Sequence, residues 1–413
     1  VGKEHPRSGT AVPLAATCAW LPSLTGLRFV AAFGVFVCHV ATLEAARKGS
    51  WSAPAFFLLG PVGVSLFFVL SGFVLTCSAR ETDTARSFWR RRIVKIYPSH
   101  LVVWVLIMLL FRGMGMPRPV TDAVVAPTVL GDVANALLVH TLIPLPQFGL
   151  AGNGVAWSLT CELLFYLLFP LLLPLVRRVR TGWLPVAAGA ATVAAWAVPM
   201  VSLGLGGPPF EQSSLPGDVT QPQLLFVYMF PPSRLPEFVL GMILARMHLS
   251  GFPVRIGVLP AAGLLCAALF LGIALLPAPF LLTAATVVPV ALLVRATAAV
   301  DVRGGRSLLR EPGMVFLGNL SYAFYLVHAT VIAVVLFYGG GAWGTGRVAC
   351  VSFIVALAVS WLLYSRVERP CMRRFSAARP RPRTTAALPP VLPGTDYEGA
   401  PVRNPSPRPT ADP

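Results

Sequence analysis

LTGLRFVAAFGVFVCHVAT, residues 24–42, is an apolar run of the length that crosses a bilayer, and it carries two ionisable residues, Arg28 and His39. A hydrocarbon core about 30 Å thick takes about 20 apolar residues of helix. An ionisable side chain inside a span costs at least about 2.5 kcal/mol, so its default reading is a polar cavity or a functional site. At about 100° and 1.5 Å per residue, the spacing from Arg28 to His39 places both on one helix face, about 16 Å apart along the axis. The plainer alternative is an arginine snorkelling to the interface and a histidine hydrogen-bonded inside a bundle.

Outward from this run the chain is of one kind. Hydrophobic residues make up 56% of the 413 and charged residues 12%, which excludes a soluble globular domain and predicts a polytopic membrane protein. The formal charge of +17 does not point to nucleic acid, because the basic residues sit between apolar runs and in a tail rather than along an amphipathic face. The lysines, at 3, 48 and 95, are far outnumbered by arginine, and Ala, Val, Pro and Gly abound, as GC-rich bacterial coding produces. The seven cysteines show no CxxC pair or metal-ligand spacing and read as small buried hydrophobes.

Ten candidate spans follow, at 24–42, 55–77, 96–112, 155–176, 182–204, 224–246, 256–275, 279–297, 314–338 and 347–366. The predicted fold is an all-α bundle of about ten transmembrane helices. Pro231, Pro232 and Pro236 interrupt the sixth span and predict a broken helix whose freed backbone groups face protein or a cavity. Basic residues crowd the loops after spans two, four, six and eight and both ends of the chain, which predicts cytoplasmic termini and a multi-pass protein of the bacterial plasma membrane. Residues 1–23 read as an uncleaved cytoplasmic leader, 24–375 as the transmembrane domain, and 376–413 as a disordered Pro- and Arg-rich tail. Residues 131–150, with Asp132, His140, Pro144 and Pro146, read as an interfacial or re-entrant cap.

Polar groups recur where a spanning bundle should resist them. Gly60, Gly63, Gly72, Ser65 and Ser71 give the second span small residues at spacings that permit close helix packing, with direct contact to a substrate as the alternative. FWRRRIVKIYPSH, residues 88–100, sets Arg90, Arg91, Arg92 and Lys95 at the mouth of span three, with Pro98 breaking or bending its first turn. This is positive-inside anchoring or a seat for a multiply phosphorylated donor. In NGVAWSLTCELLFYLLFP, Glu162 is nearly central, with Ser158 and Tyr166 at i−4 and i+4. A lone buried carboxylate needs a partner, for which Arg234 and His39 are the candidates. Arg234 and Glu237 are three apart and can satisfy each other. Ser321, Tyr325 and His328 form one stripe of the ninth span, with Tyr322 beside it.

Several of these motifs, in this order, resemble the membrane-bound acyltransferase-3 family, ten-span O-acyltransferases that modify hydroxyls on bacterial glycans and on antibiotics such as macrolides. Arg28 and His39 match its first-span arginine-x10-histidine, and Phe67, Phe68, Ser71, Gly72 and Phe73 its FFxxSGF stretch. Arg91, Arg92, Ile96, Tyr97 and Pro98 match its basic segment, and Trp157, Ser158, Glu162, Phe165 and Tyr166 its WSLxxExxFY stretch. Arg234, Glu237, Phe238 and Gly241 match RxxEFxxG; Gly318, Ser321, Tyr322, Tyr325, Leu326 and His328 match GxxSYxxYLxH; Glu368 and Pro370 match the terminal ERP. The chain departs at Lys95, where the family has arginine, at His100, where an aromatic residue is common, and in lacking the hydrolase-like domain fused to some glycan-modifying members.

The resemblance implies a membrane O-acyltransferase with no bound cofactor, taking an acetyl or other short acyl group from acyl-CoA to a hydroxyl of a macrolide-type antibiotic or a carbohydrate. Its donor phosphates are expected at Arg28, Arg91, Arg92 and Lys95, and its general base at His39. Glu162 is expected to orient that base, and Arg234, Tyr325 or His328 to stabilise the oxyanion. Ser158, Tyr166, Glu237 and Ser321 are further candidates to contact substrate. An acyl-enzyme on Ser158 or Ser321 is disfavoured, because neither occupies a recognisable nucleophile turn. The competing class is a transporter or flippase, against which stands the lack of an inverted repeat relating the two halves.

Overall fold

The computed structural model describes residues 21–48, 54–116, 128–210, 219–339 and 342–375, so the first twenty residues of the expected leader and the whole tail lie outside the described residues, while 22 and 23 belong to the first helix. No strand occurs among the described residues. In chain order the principal helices are α1 (Pro22–Lys48), α2 (Pro54–Ser78), α3 (Ala85–Ile107), α4 (Val129–Ala136), α5 (Trp157–Arg178) and α6 (Leu184–Ser202). They continue as α7 (Pro231–Leu249), α8 (Val258–Leu275), α9 (Ala284–Val302), α10 (Pro312–Gly339) and α11 (Thr345–Leu363).

Nine helices among the described residues are long and apolar enough to cross a membrane. The remaining candidate, the sixth, is α7, which falls outside that set because Arg234, Glu237 and Arg246 all lie within its nineteen residues. It is nonetheless an inner helix, packed against α2, α5 and α6. The proline-rich approach to α7 is broken as expected. A turn at Gln221–Leu224 runs into a π-helical Leu225–Met229, Phe230 is extended, and α7 restarts at Pro231, where a missing N–H costs nothing.

Burial sorts the bundle into an inner set and a lipid ring. The apolar windows of α2 and α9 are 78% buried and that of α10 is 72% buried, against 17% for α8 and 22% for α6. Leu259, Phe270 and Leu275 on α8 and Val193 and Met200 on α6 are exposed, as helices facing hydrocarbon require. At the centre α1 packs against α2 and α10, and α2 against α7. The α2–α7 crossing depends on two glycines: a Cβ on Gly72 would overlap the Phe238 carbonyl, and one on Gly241 would overlap the Val69 carbonyl. Small residues bring the two backbones into contact, as the sequence predicts for α2.

Two expectations about local structure change. Helix α3 begins eleven residues before the expected span, capped by Thr84, whose hydroxyl accepts from the Ser87 amide at 3.2 Å. It passes through Pro98 without ending, so Arg90 to Lys95 stand on the helix itself rather than in a loop. The cysteines are mixed: Cys38 and Cys161 are buried, Cys266 and Cys350 lie on the outer surface, and Cys77 is disulfide-bonded.

Candidate active site

Helices α1 and α10 bring the two histidines together across 289 residues of chain. His328 Nε2 lies 3.1 Å from His39 Nδ1. Each ring also touches backbone carbonyls one turn back: His39 Nδ1 is 2.9 Å from the Val35 oxygen, and His328 Nδ1 is 2.8 Å from that of Tyr325 and 3.3 Å from that of Phe324. A carbonyl only accepts, so both Nδ1 atoms carry the proton. His328 Nε2 is then a lone pair that accepts from His39 Nδ1–H, which Val35 shares. In the neutral pair this leaves His39 Nε2 as the free base. Phe324 stacks on His328 with centroids 6.0 Å apart, and Phe36 packs at its edge, which holds the acceptor ring in place.

His39 lines an apolar chamber of about 210 Å³ together with Val35, Leu43, Phe57, Phe111, Trp157 and Tyr228. A roof formed by residues 150–155 closes one side. Asp132 accepts from the Gly152 amide at 2.9 Å and is clamped by Arg112 at 2.7 and 3.0 Å. Asn135 and Asn153 exchange amide hydrogen bonds at 3.1 and 3.2 Å, and Asn153 Nδ2 donates to the Leu326 carbonyl on α10 at 3.1 Å. Gly152 has φ +59°, and a Cβ there would strike Asn135, so the turn requires glycine. The segment 131–150, expected as a cap, holds this roof through Asp132 and Asn135, and Asn153 ties the roof to α10 two residues before His328.

On the other side of Tyr325 the chamber gives way to a neck of about 40 Å³, where Val64 and Tyr325 border both spaces. Arg28, Lys95, Ser158, Glu162, Tyr166 and Ser321 line the neck. Ser158 donates to the Tyr325 hydroxyl at 2.8 Å, and Tyr325 donates to the Val155 carbonyl at 3.2 Å. The Ser321 hydroxyl is buried without a partner. Beyond the neck, past Arg28, Lys95 and Tyr322, opens a vestibule of about 330 Å³.

Several expected roles are redrawn by these contacts. Glu162 pairs with neither His39 nor Arg234; the Tyr166 hydroxyl donates to it at 3.1 Å, and its carboxylate belongs to the neck. His328 occupies the orienting position beside His39 that Glu162 was expected to fill. His328 is committed as an acceptor and Tyr325 already donates to Val155, so neither neutral group is free to serve an oxyanion. Arg234 is fully buried, paired with Glu237 at 2.9 Å, bonded to Ser65 at 3.0 Å and seated against the rings of Phe68 and Tyr228. Arg234 and Glu237 line none of the three spaces, and the Arg234 guanidinium lies over the ring of Tyr228, which does line the chamber.

The basic cluster divides as well. Arg91 pairs with Asp83 at 2.9 Å, and Arg92 lies against the rings of Phe88 and Tyr166, so Lys95 alone of the three candidates reaches the neck and vestibule. Asn153, Tyr228, Arg369 and Arg373 line these spaces without having been singled out as site residues. Arg369 was legible as the middle residue of the terminal ERP and Arg373 only as part of a basic end of the chain, neither as a group facing a cavity.

Residues 21–365 match the Acyltransferase domain profile, Acyl_transf_3. Acyltransferase MdmB of Streptomyces mycarofaciens is 38% identical over 379 residues, covering 87% of this chain and 94% of its own length. Nodulation protein 10 of Rhizobium leguminosarum bv. viciae is 27% identical over 371 residues, covering 84% of this chain and 92% of its own. "Putative O-acetyltransferase SACOL0978" of Staphylococcus aureus (strain COL) is 26% identical over 345 residues, which are 77% of this chain and 52% of that protein. No solved structure matches the chain. With its apolar helices, the Arg28–His39 helix and a match spanning nearly the whole described bundle, the chain belongs to the acyltransferase-3 family of bacterial membrane acyltransferases.

Proposed function

We propose that the protein transfers a short acyl group, acetyl in the simplest case, from acyl-CoA to a hydroxyl of a small amphipathic acceptor, with His39 as general base. The observation that carries this reading is the succession of vestibule, neck and chamber, with Arg28 at the mouth and His39 in the chamber of the same helix. The Arg28-to-His39 rise of about 16 Å is of the scale of a pantetheine arm. Phosphates held at Arg28 and Lys95 send that arm through the neck, and the thioester reaches the chamber.

His39 Nε2 takes the acceptor hydroxyl's proton as the oxygen attacks the thioester carbonyl. The C–O bond forms, the C–S bond breaks, and the proton passes from His39 to the departing CoA sulfur. His328 Nε2 accepts from His39 Nδ1–H throughout and stabilises the imidazolium that develops. We assign oxyanion donation to Tyr228, which lines the chamber and whose ring is braced by Trp157 at 4.4 Å and by the Arg234 guanidinium at 5.5 Å.

The apolar chamber lining favours an acceptor with a hydrophobic body, of the macrolide type, over a long polysaccharide. The basic mouth fits a cytoplasmic donor side, in keeping with the positive-inside reading. The test is purified protein incubated with labelled acetyl-CoA and candidate acceptors. Label on an acceptor hydroxyl supports the reading. Gradient-driven flux of the acceptor without label transfer returns the alternative, a transporter or flippase.

A further inference from the structure

The vestibule contains more positive charge than Arg28 and Lys95 supply. Helix α11 runs into a π-helical stretch, Tyr364–Glu368, and then a short helix, Arg369–Phe375, that packs against α3. Arg369 and Arg373 are four apart and therefore share a face, and both line the vestibule together with Arg28 and Lys95. Of the charged groups lining it, four are cationic, Arg28, Lys95, Arg369 and Arg373, and one is acidic, Glu368. Four like charges around one carboxylate repel one another unless an anion enters between them. Two of the arginines expected to supply such a seat are spent elsewhere, Arg91 on Asp83 and Arg92 on two aromatic rings.

We propose that Arg369 and Arg373 are phosphate ligands which, with Arg28 and Lys95, form a seat for the phosphates at the nucleotide end of the acyl donor. The inference deepens the donor reading above and rests on it for the donor's identity. The seat is assembled from three parts of the chain, α1, α3 and the segment after the last span. The guanidinium forks at 369 and 373 make up for the fork that Lys95 lacks, because a lysine offers phosphate a point charge where arginine offers paired donors.

The test is binding of adenosine 3′,5′-bisphosphate to the purified full-length protein in neutral detergent, with acyl transfer measured separately. Arg369→Gln and Arg373→Gln are each expected to weaken binding about five- to tenfold, and the double variant more. Arg366→Gln removes the same charge from a neighbouring position outside the vestibule and is the control, with binding unchanged. Wild-type protein that does not bind the bisphosphate overturns the inference, as do 369 and 373 variants that bind as tightly as wild type. Anionic lipid headgroups carry the same phosphate chemistry. Repeating the titration with phosphatidylglycerol separates the sources: variants that lose the lipid while keeping the bisphosphate overturn the inference. Bisphosphate binding that depends on both arginines, without transfer from acyl-CoA, upholds the seat and rejects the transferase donor instead.

Discussion

Replacing His328 by phenylalanine separates the two histidines by role. Phenylalanine keeps an aromatic ring in the Phe36 and Phe324 packing and removes the acceptor that faces His39 Nδ1 at 3.1 Å. The Val35 carbonyl at 2.9 Å still holds His39 in the same tautomer, so Nε2 remains a base. What is lost is a hydrogen bond that turns charge-assisted as His39 becomes an imidazolium, worth about 1.5–3 kcal/mol. At 1.36 kcal/mol per decade this lowers kcat about ten- to 150-fold. Losing the base itself in His39→Ala costs about 100- to 10,000-fold. The assay is steady-state transfer from labelled acetyl-CoA, with donor KM and thermal stability in detergent measured for each variant. A His328→Phe protein that is stable and as active as wild type refutes the dyad. One that is stable and as inactive as His39→Ala makes His328 the base and overturns the tautomer assignment.

Tyr228→Phe should keep the ring between Trp157 and Arg234 and lower kcat about 100- to 1,000-fold, as loss of one oxyanion donor does; unchanged kcat removes Tyr228 from the mechanism. Arg28→Ala should raise KM for acyl-CoA about tenfold, the effect of losing a charge-assisted bond of about 1.5 kcal/mol, while KM for S-acetyl-pantetheine stays level; an unchanged dependence on acyl-CoA concentration counts against the phosphate role. Gly72→Ala forces a methyl into the Phe238 carbonyl and should cost about 1–3 kcal/mol, read as a lowered melting temperature in detergent; an unaltered melt would show that the α2–α7 crossing relaxes freely. His140, in the cap, is pushed down to about 3 by burial and then by the neighbouring His100. Its folded pKa lies below its unfolded value, so the cap is fully stable above about pH 6.5 and loses about 1.4 kcal/mol per unit below it. Limited proteolysis of the cap at pH 7.5 and pH 5 tests this, and equal protection at both would be the contrary result.

Residues 24–42 alone establish a spanning helix with Arg28 and His39 on one face, because length, apolarity and a 3.6-residue period are local properties. The break before α7 was legible for the same reason, since proline acts on its own turn. The partnerships were not. Glu162 was the expected partner of His39 and His328 an expected oxyanion donor, and nothing in their local sequence distinguishes a carboxylate bonded to Tyr166 from an imidazole bonded to His39 across 289 residues. Arg234 and Glu237 carried the mark of function, charge in an apolar helix, but satisfy each other beneath the chamber. Arg373 carried only the mark of topology and Arg369 that of a terminal motif, yet both line the vestibule. The sequence by itself determined which helices form and which faces carry charge. Only the tertiary structure decided which charges meet one another and which line open cavities, because that depends on how α1, α3, α7, α10 and the end of α11 pack, and packing joins residues that local periodicity cannot relate.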